Sequence, residues 1–241
     1  MAIALPALFT CCPDSATILR PMDALTPDTF LGRLPMYWRR KLIIGLLLAP
    51  FFTVCYYLPQ WVPIFARREI PLLAIDSAVP FHPWWIWPYM SMYLLLPLPP
   101  LFSIRANHLR RYSLGMAILF FVSCVFFFAM PIAYPRPALP ADADWLYRHI
   151  ATIDQPINSL PSLHAGLTAY ALFYTRRAWA DFNPRTLAIC LTIGWLWAVI
   201  IFYGTLATKQ HYLIDLPAGI AVAWVAHRIA WRGASRGEAD V

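Results

Sequence analysis

The feature of this sequence that most constrains its fold is a series of six apolar segments separated by short polar stretches. A helix needs about 20 mostly apolar residues to cross the hydrocarbon core of a bilayer. The segments are 42–60, 84–104, 113–133, 162–180, 186–204 and 210–230. Only 13% of the residues are charged, against roughly 25% in a soluble domain. We therefore predict an all-α fold, a polytopic membrane helix bundle with six transmembrane helices.

A single membrane domain is the simplest division of the chain. The sequence has no internal repeat and no Gly/Ser-rich linker. We predict a cytoplasmic N-terminal tail over 1–38, a six-span membrane catalytic domain over 39–232 and a cytoplasmic C-terminal tail over 233–241. The N-terminus lacks the basic start and small-residue cleavage site of a secretory signal, so we expect the tail to be retained.

The basic residues predict which side of the bundle faces the cytoplasm. With six spans both termini share one side, which carries 14 of the 19 lysines and arginines, while the other side carries 5. The positive-inside rule makes the first side cytoplasmic, in a multi-pass protein of the cell (inner) membrane. The net charge of +7 then reflects topology, so we expect no nucleic-acid partner.

Two histidines open apolar segments at the same predicted outer surface. His164 ends the sequence Asn-Ser-Leu-Pro-Ser-Leu-His, and His211 begins His-Tyr-Leu-Ile-Asp, which places Asp215 four residues later. On a helix, residues i and i+4 share a face, so Asp215 would hold one imidazole nitrogen of His211 and leave the other as a nucleophile or base. A lone interfacial histidine is usually structural, but this pair predicts a reaction centre with His164 as the partner of His211.

The residues before His164 suit an anion site. Pro161 fits the first turn of a helix because its missing N–H would have no partner there. The following backbone N–H groups and the Ser162 hydroxyl are then available to a phosphate. Helix capping by Ser162 is compatible with that role.

These motifs resemble a known family. Pro161-Ser162-Leu163-His164 and His211-x-x-x-Asp215 resemble the second and third motifs of the type 2 phosphatidic acid phosphatase superfamily, whose six-span layout is also similar. The Asn-x-x-Pro-Ser-Leu-His form and His211-Tyr212 resemble its inositol phosphorylceramide synthase and sphingomyelin synthase branch. The resemblance implies that His211 attacks phosphorus to give a phosphohistidine, Asp215 orients it, His164 protonates the leaving oxygen and Ser162 binds phosphate.

The chain departs from the family pattern at two phosphate-binding cations. The first motif is Lys, six residues, then Arg-Pro; Arg136-Pro137 matches, but Ala129 stands where Lys is expected. Gly204-Thr205 replaces the Ser-Arg pair that usually precedes the third-motif histidine. Arg136 can still clamp phosphate bidentately, although an interface anchor is the alternative, and Lys209 offers a substitute charge.

The sequence thus predicts a membrane enzyme that hydrolyses a lipid phosphate of the phosphatidic acid, polyprenyl or sphingolipid type at the outer membrane face. The alternative is a phospholipid headgroup transferase that uses an alcohol acceptor. A transporter or channel is a third hypothesis, although the chain shows neither paired broken helices nor internal symmetry.

We expect no cofactor and no metal, because phosphoryl transfer depends mainly on positioning and on offsetting charge. Asp142, Asp144 and Asp154 lie in the long loop 138–157. We interpret these acids as a solvated loop surface more than as a cation site.

Overall fold

The structure, a computed structural model, describes residues 26–232. Within that range it contains eleven helices, two short strands and a 3-10 turn at Pro83–Trp85. The helices are α1 (Phe30–Arg33), α2 (Trp38–Trp61), α3 (Ala74–Ala78), α4 (Ile86–Met90), α5 (Met92–Leu95), α6 (Leu98–Leu101), α7 (Ala106–Ala129), α8 (Trp145–Ile153), α9 (Leu163–Ala178), α10 (Pro184–Ala207) and α11 (Asp215–Ala230). The strands are β1 (Arg68–Glu69) and β2 (Ile132–Ala133). The predicted C-terminal tail and residues 1–25 of the predicted N-terminal tail lie outside the described residues.

Three helices are long and apolar enough to cross a membrane, namely α2, α7 and α10, with 24 residues each. At about 1.5 Å per residue each is about 36 Å long, which exceeds a hydrocarbon core of about 30 Å. They correspond to the predicted segments 42–60, 113–133 and 186–204. The helical fold is therefore confirmed, and the three apolar helices agree with a membrane protein, whereas the count of six spans is not confirmed.

The predicted segment 84–104 is not a single helix. It is divided into the 3-10 turn and the short helices α4, α5 and α6. Pro88, Pro97, Pro99 and Pro100 lie in this stretch. Each proline lacks the N–H that a helix needs, and its ring clashes with the carbonyl four residues earlier, so the run of prolines interrupts the helix repeatedly.

The predicted segments 162–180 and 210–230 form α9 and α11, which have 16 residues each. Their length of about 24 Å falls short of the bilayer core. Helix α9 packs against α7, α10 and α11, and most of its side chains are buried. Helix α9 is therefore the central helix of the bundle, and its side chains are buried against other helices of this chain.

Two glycines allow α11 to approach the start of α9 closely. A Cβ atom on Gly219 would lie 2.1 Å from the carbonyl oxygen of Ser162, and one on Gly166 would lie 3.0 Å from the carbonyl oxygen of Gly219. At this contact the Ser162 N–H donates to the Asp215 carbonyl over 3.1 Å. The first residues of the two helices are thereby held together.

The connections on this side of the bundle form a second layer over the helix ends. Strands β1 and β2 pair in parallel, with Arg68 opposite Ile132 and Glu69 opposite Ala133. Ile132 also forms a bridge with Asn158, which ties the connection after α7 to the segment before α9. The long predicted loop contains α8, which packs against α4.

The described part of the predicted N-terminal tail packs against the opposite end of the bundle. The ring of Phe30 in α1 contacts those of Phe102, Trp179 and Phe182. Arg33 is buried, with its guanidinium carbon 3.3 Å from the centroid of the Phe182 ring. The folded unit therefore includes residues before the predicted boundary at 39.

Candidate active site

The fold places His164 and His211 beside each other. His164 is the second residue of α9, and His211 lies in the turn between α10 and α11. Their ring centroids are 5.7 Å apart, and both side chains are buried, at 7% and 5% exposure. The close contact between the starts of α9 and α11 is what brings the two rings together, although they are 47 positions apart in the sequence.

The hydrogen bonds of His211 define which ring nitrogen is free. Nδ1 lies 3.0 Å from the carbonyl oxygen of Ser159, and a carbonyl can only accept a hydrogen bond. In the neutral ring Nδ1 therefore carries the proton, and Nε2 keeps a lone pair. This tautomer is the one that a nucleophilic imidazole requires.

Asp215 acts on His211 mainly through its negative charge and less through a direct hydrogen bond. Its Oδ2 lies 3.5 Å from Nδ1 of His211, farther than the Ser159 carbonyl. The carboxylate is fully buried and accepts from the Tyr212 N–H at 2.9 Å and from the Tyr134 hydroxyl at 3.0 Å. The expected geometry on one helix face is wrong in detail, because α11 begins at Asp215 and His211 lies in the preceding turn.

Tyr134 is a reliable donor to this carboxylate. Burial, and then the nearby charge of Asp215, raise the pKa of the Tyr134 phenol. The phenol therefore stays protonated and can donate to Asp215 over the whole physiological pH range. Sequence reasoning missed Tyr134, since nothing in the local pattern distinguishes it from other interfacial aromatic residues.

His164 is held by aromatic rings and has an unused nitrogen. Its ring stacks on Tyr89 with centroids 3.8 Å apart and planes 23° apart, and Tyr93 meets it edge-on at 6.2 Å. Nε2 of His164 is buried and finds no partner anywhere in residues 26–232. A buried polar atom without a partner is costly, so this nitrogen is suited to a ligand.

Arg136 is fixed close to the histidines by two side chains. Its Nη1 donates to the Asp154 carbonyl at 2.6 Å. Its Nη2 donates to Oδ2 of Asp154 at 3.1 Å and to Oε1 of Gln210 at 2.8 Å. Nε is buried and, in the described part of the chain, has no acceptor. Because Gln210 directly precedes His211, these bonds tie the guanidinium to the turn that carries this histidine.

Asp154 differs from the solvated loop residue that the sequence suggested. It is buried and, besides Arg136, accepts from the Tyr56 hydroxyl at 2.7 Å and from Nε2 of Gln60 at 3.2 Å. Tyr56 and Gln60 belong to α2, so Asp154 connects the first long helix with the site. Asp144 has a structural role, because its side chain caps α8 by accepting from the Leu146 N–H.

Ser162 is the N-cap of α9. Its Oγ accepts from the Ala165 N–H at 3.3 Å, and the helix begins at Leu163, so Pro161 lies just outside the first turn where it was expected. An accepting hydroxyl keeps its own hydrogen. Ser162 can therefore cap the helix and donate to an anion at the same time.

Lys209 contacts a helix that the sequence did not connect with the site. Its Nζ donates to the carbonyls of Asp76 and Val79 at 2.7 and 2.6 Å. Burial lowers the pKa of Lys209, while the charge of Asp76 opposes that shift. Two of its three N–H groups are thereby used, and one remains for another acceptor.

Asp76 holds the turn that carries His211. Its carboxylate is buried and accepts from the Leu213 N–H at 2.8 Å and from the Leu73 N–H at 3.0 Å. The only sequence signal for this residue is a single acid within the largely apolar stretch 70–79. Asp215 and Asp76 thus accept the N–H groups of the adjacent turn residues Tyr212 and Leu213.

Two cavities adjoin this cluster. An open cleft of about 400 Å³ is lined by Arg136, Lys209 and Tyr212 among others. A smaller cavity of about 50 Å³ is lined by His164, Asp154 and four tyrosines, Tyr56, Tyr57, Tyr89 and Tyr93. Within residues 26–232 no group of three or more His, Cys, Asp or Glu side chains could hold a metal ion.

The structure is thus a helical bundle with a buried histidine pair, in which one histidine lies next to a carboxylate and the other at a helix start. Residues 68–229 match the family model described as PAP2 superfamily, and the chain belongs to that superfamily. A comparison with curated proteins gave no match. The matched range includes every one of the predicted site residues, and membership supports an enzyme of phosphatase or phosphotransferase type.

Proposed function

We propose that this protein hydrolyses a lipid phosphate through a phosphohistidine on His211. The observation that carries the proposal is the complementary state of the two imidazoles. His211 has Nδ1 committed to the Ser159 carbonyl, and Nε2 of the neighbouring His164 is buried without a partner in the described chain. One ring is thus prepared to attack phosphorus, and the other to exchange a proton with a ligand.

In the first step Nε2 of His211 attacks phosphorus, and the bond from phosphorus to the lipid oxygen breaks. His164 gives its proton to that oxygen, so the lipid leaves as an alcohol. The phosphorylated His211 ring keeps its Nδ1 proton and carries a positive charge. The carboxylate of Asp215 lies 3.5 Å from Nδ1. It therefore stabilises the positively charged, phosphorylated ring more strongly than the neutral ring.

In the second step a water molecule replaces the departed alcohol. His164, now neutral, takes a proton from this water as its oxygen attacks phosphorus. The bond from phosphorus to Nε2 breaks, and inorganic phosphate leaves. His211 then regains its lone pair at Nε2, and His164 is again protonated for the next cycle.

Arg136, Ser162 and Lys209 are the proposed phosphate ligands. Each has at least one N–H or O–H left for an acceptor after its contacts within the protein are counted. Donors directed at the equatorial oxygens of a transferring phosphoryl group stabilise charge that spreads over them. These fixed donors therefore compensate in part for the lysine and the arginine that the family pattern has at the positions of Ala129 and Thr205.

We further propose that all six segments cross the membrane, with the site on the outer face and both termini in the cytoplasm. Irregular backbone is tolerated at membrane depth where protein surrounds it, and α4 packs against α10, while α5 and α6 pack against the central α9. The basic asymmetry between the two sides supports the orientation. Cysteines are placed at the exposed positions Ala141 and Arg177 in a background lacking native cysteines. An impermeant thiol reagent added outside intact cells should label Ala141→Cys and should not label Arg177→Cys. Labelling of Arg177→Cys from outside intact cells would reverse this topology.

The proposed chemistry is tested by trapping the intermediate. Purified enzyme is mixed with a radiolabelled lipid phosphate and denatured in base during turnover. We expect base-stable, acid-labile label on the wild type and none on His211→Ala, while His149→Ala, which alters an exposed histidine on α8, should match the wild type. Robust turnover by His211→Ala would refute the assignment of the nucleophile.

Headgroup transfer to an alcohol is the second candidate. The motif form from Asn158 to His164 and the pair His211-Tyr212 favour it, and the open cleft beside Arg136 has room for an acceptor larger than water. The two reactions separate when labelled phospholipids are incubated with and without inositol, glycerol or lipid alcohols. Free phosphate that is independent of the acceptor supports hydrolysis. A new phospholipid that forms with one acceptor, with little free phosphate, would instead establish transfer.

A further inference from the structure

An apolar groove of about 360 Å³ lies between α2 and the helices α5, α6, α7 and α9. Its walls include Leu48, Leu96, Met116 and Phe120. On α2 the positions Gly45 and Ala49, one turn apart, are small and exposed. Because these two residues are small, the groove is open on this side, toward the surrounding lipid.

The groove adjoins the cavity beside His164. Phe52, Tyr93 and Leu167 line both spaces. Tyr93 meets the His164 ring edge-on, so it stands at the junction between the apolar groove and the polar site. A ligand chain that passes these shared side chains from the small cavity would enter the apolar groove directly.

Lys41 closes the far end of the groove. Its Nζ donates to the carbonyls of Arg33 at 2.9 Å and Leu34 at 3.4 Å, and also to the carbonyl of Leu101. All three N–H groups of the ammonium thus have acceptors in the protein, and their contacts join α1, α2 and α6 at this point. The groove therefore has a fixed end.

The two spaces together have the length of a long hydrocarbon chain. They extend along α2 from Tyr57 to Lys41, which is about 24 Å at about 1.5 Å per residue. A zigzag chain built from bonds of about 1.5 Å advances about 1.25 Å per carbon, so about 19 carbons fill this length. The closed end therefore matches the reach of one long chain.

We propose that the groove holds a single hydrocarbon chain of the lipid whose phosphate reacts at His164 and His211, and that its closed end makes the enzyme selective for chain length. This inference rests on the proposed function. It goes further by naming where the chain lies and which residues limit it. The walls are mostly apolar, so the groove distinguishes chains by their length.

Gly45 provides the test, because a Cβ atom there meets no atom within 4 Å. Gly45→Leu should fill the groove without displacing its neighbours. Lipid phosphates with an octyl chain and with an octadecyl chain are compared in mixed micelles, by kcat/KM. We expect the octadecyl-to-octyl ratio to fall about tenfold, or about 1.4 kcal/mol, while the octyl value itself stays close to that of the wild type. Gly45→Ala, which adds one methyl group, should lower the ratio less.

Leu46→Phe is the matched control, since Leu46 is exposed on the same helix and does not line the groove; its ratio should not change. A ratio in Gly45→Leu that equals the wild-type ratio would overturn the proposal. If wild type hydrolyses neither lipid, the proposed function fails instead.

A second measurement does not depend on the variant folding. A lipid phosphate with a photoreactive group at the end of its octadecyl chain is irradiated with wild-type enzyme, and labelled peptides are identified. Label should appear in α2 near Lys41 and in α6. Label on the exposed face of α10, or on a helix of a second copy of the chain, would place the chain elsewhere and contradict the proposal.

Discussion

Replacing Asp215 by Asn tests how much the buried carboxylate contributes to catalysis. The amide has the shape of the carboxylate. Its oxygen can still accept from the Tyr212 N–H, and its NH2 group can face the Tyr134 hydroxyl, which is able to accept as well as donate. The substitution therefore removes the negative charge while the hydrogen bonds that hold the turn can be kept.

The expected magnitude follows from the 3.5 Å between Oδ2 of Asp215 and Nδ1 of His211. Two unit charges at this distance interact by about 5 kcal/mol at an effective dielectric constant of about 20, and by about 1.2 kcal/mol at about 80. Each 1.36 kcal/mol of barrier is about tenfold in rate. Because the site is buried, we expect Asp215→Asn to lower the rate of phosphohistidine formation by about 10² to 10³.

The assay is single-turnover formation of the base-stable phosphoenzyme in a quench-flow instrument, after thermal unfolding has shown that the variant is folded. Tyr134→Phe is the control, because it removes one hydrogen bond to Asp215 and leaves the charge in place. A net hydrogen bond of about 1 kcal/mol predicts a loss of only about fivefold there. If Asp215→Asn reacts within about threefold of wild type, the electrostatic role assigned to this carboxylate is refuted.

Other outcomes follow from the same contacts. Asp154→Asn removes the charge that orients Arg136, and we expect kcat/KM to fall about tenfold, mainly through KM; an unchanged KM would argue against phosphate binding by Arg136. Gly219→Ala forces the contact between α9 and α11 apart and should cost about 1–3 kcal/mol of stability, visible as a lower unfolding temperature, whereas Gly45→Ala at an open helix position should not lower that temperature, because alanine favours a helix over glycine. Turnover should survive a chelator and be inhibited by vanadate, because the proposed centre uses arginine, serine and lysine donors in place of a cation; activity lost with a chelator and restored by Mg²⁺ would contradict this reasoning.

The sequence predicted the long helices well and the broken segment poorly. Over most of α2, α7 and α10 a long apolar run leaves helix formation as the way to satisfy the backbone in lipid, and α2 continues through its two separated prolines, Pro50 and Pro59. The same composition continues through 84–104, but there the clustered prolines remove N–H groups from the ladder. Hydropathy averages over such a segment and cannot show how its short helices are arranged.

The acidic residues show a second limit of prediction from the sequence. Asp215 was singled out because it follows His211 by four residues, and the structure places the two side chains 3.5 Å apart. Asp154 and Asp76 have no such spacing. Asp154 meets Gln60, 94 positions away, and Arg136, 18 positions away, and Asp76 meets Leu213, 137 positions away, so only the folded chain reveals that both acids are buried beside the site.

The sequence by itself determined the helical membrane class and the two motifs that carry the histidines, because apolar run length and residue spacing are local properties. The tertiary structure decided which nitrogen of His211 is free, since the Ser159 carbonyl that holds the other is 52 positions away. It also decided that Asp154 fixes Arg136 and that a groove along α2 adjoins the cavity beside His164. These features depend on how α2, α9 and α11 pack against one another, and packing between distant segments leaves no periodic pattern in the sequence.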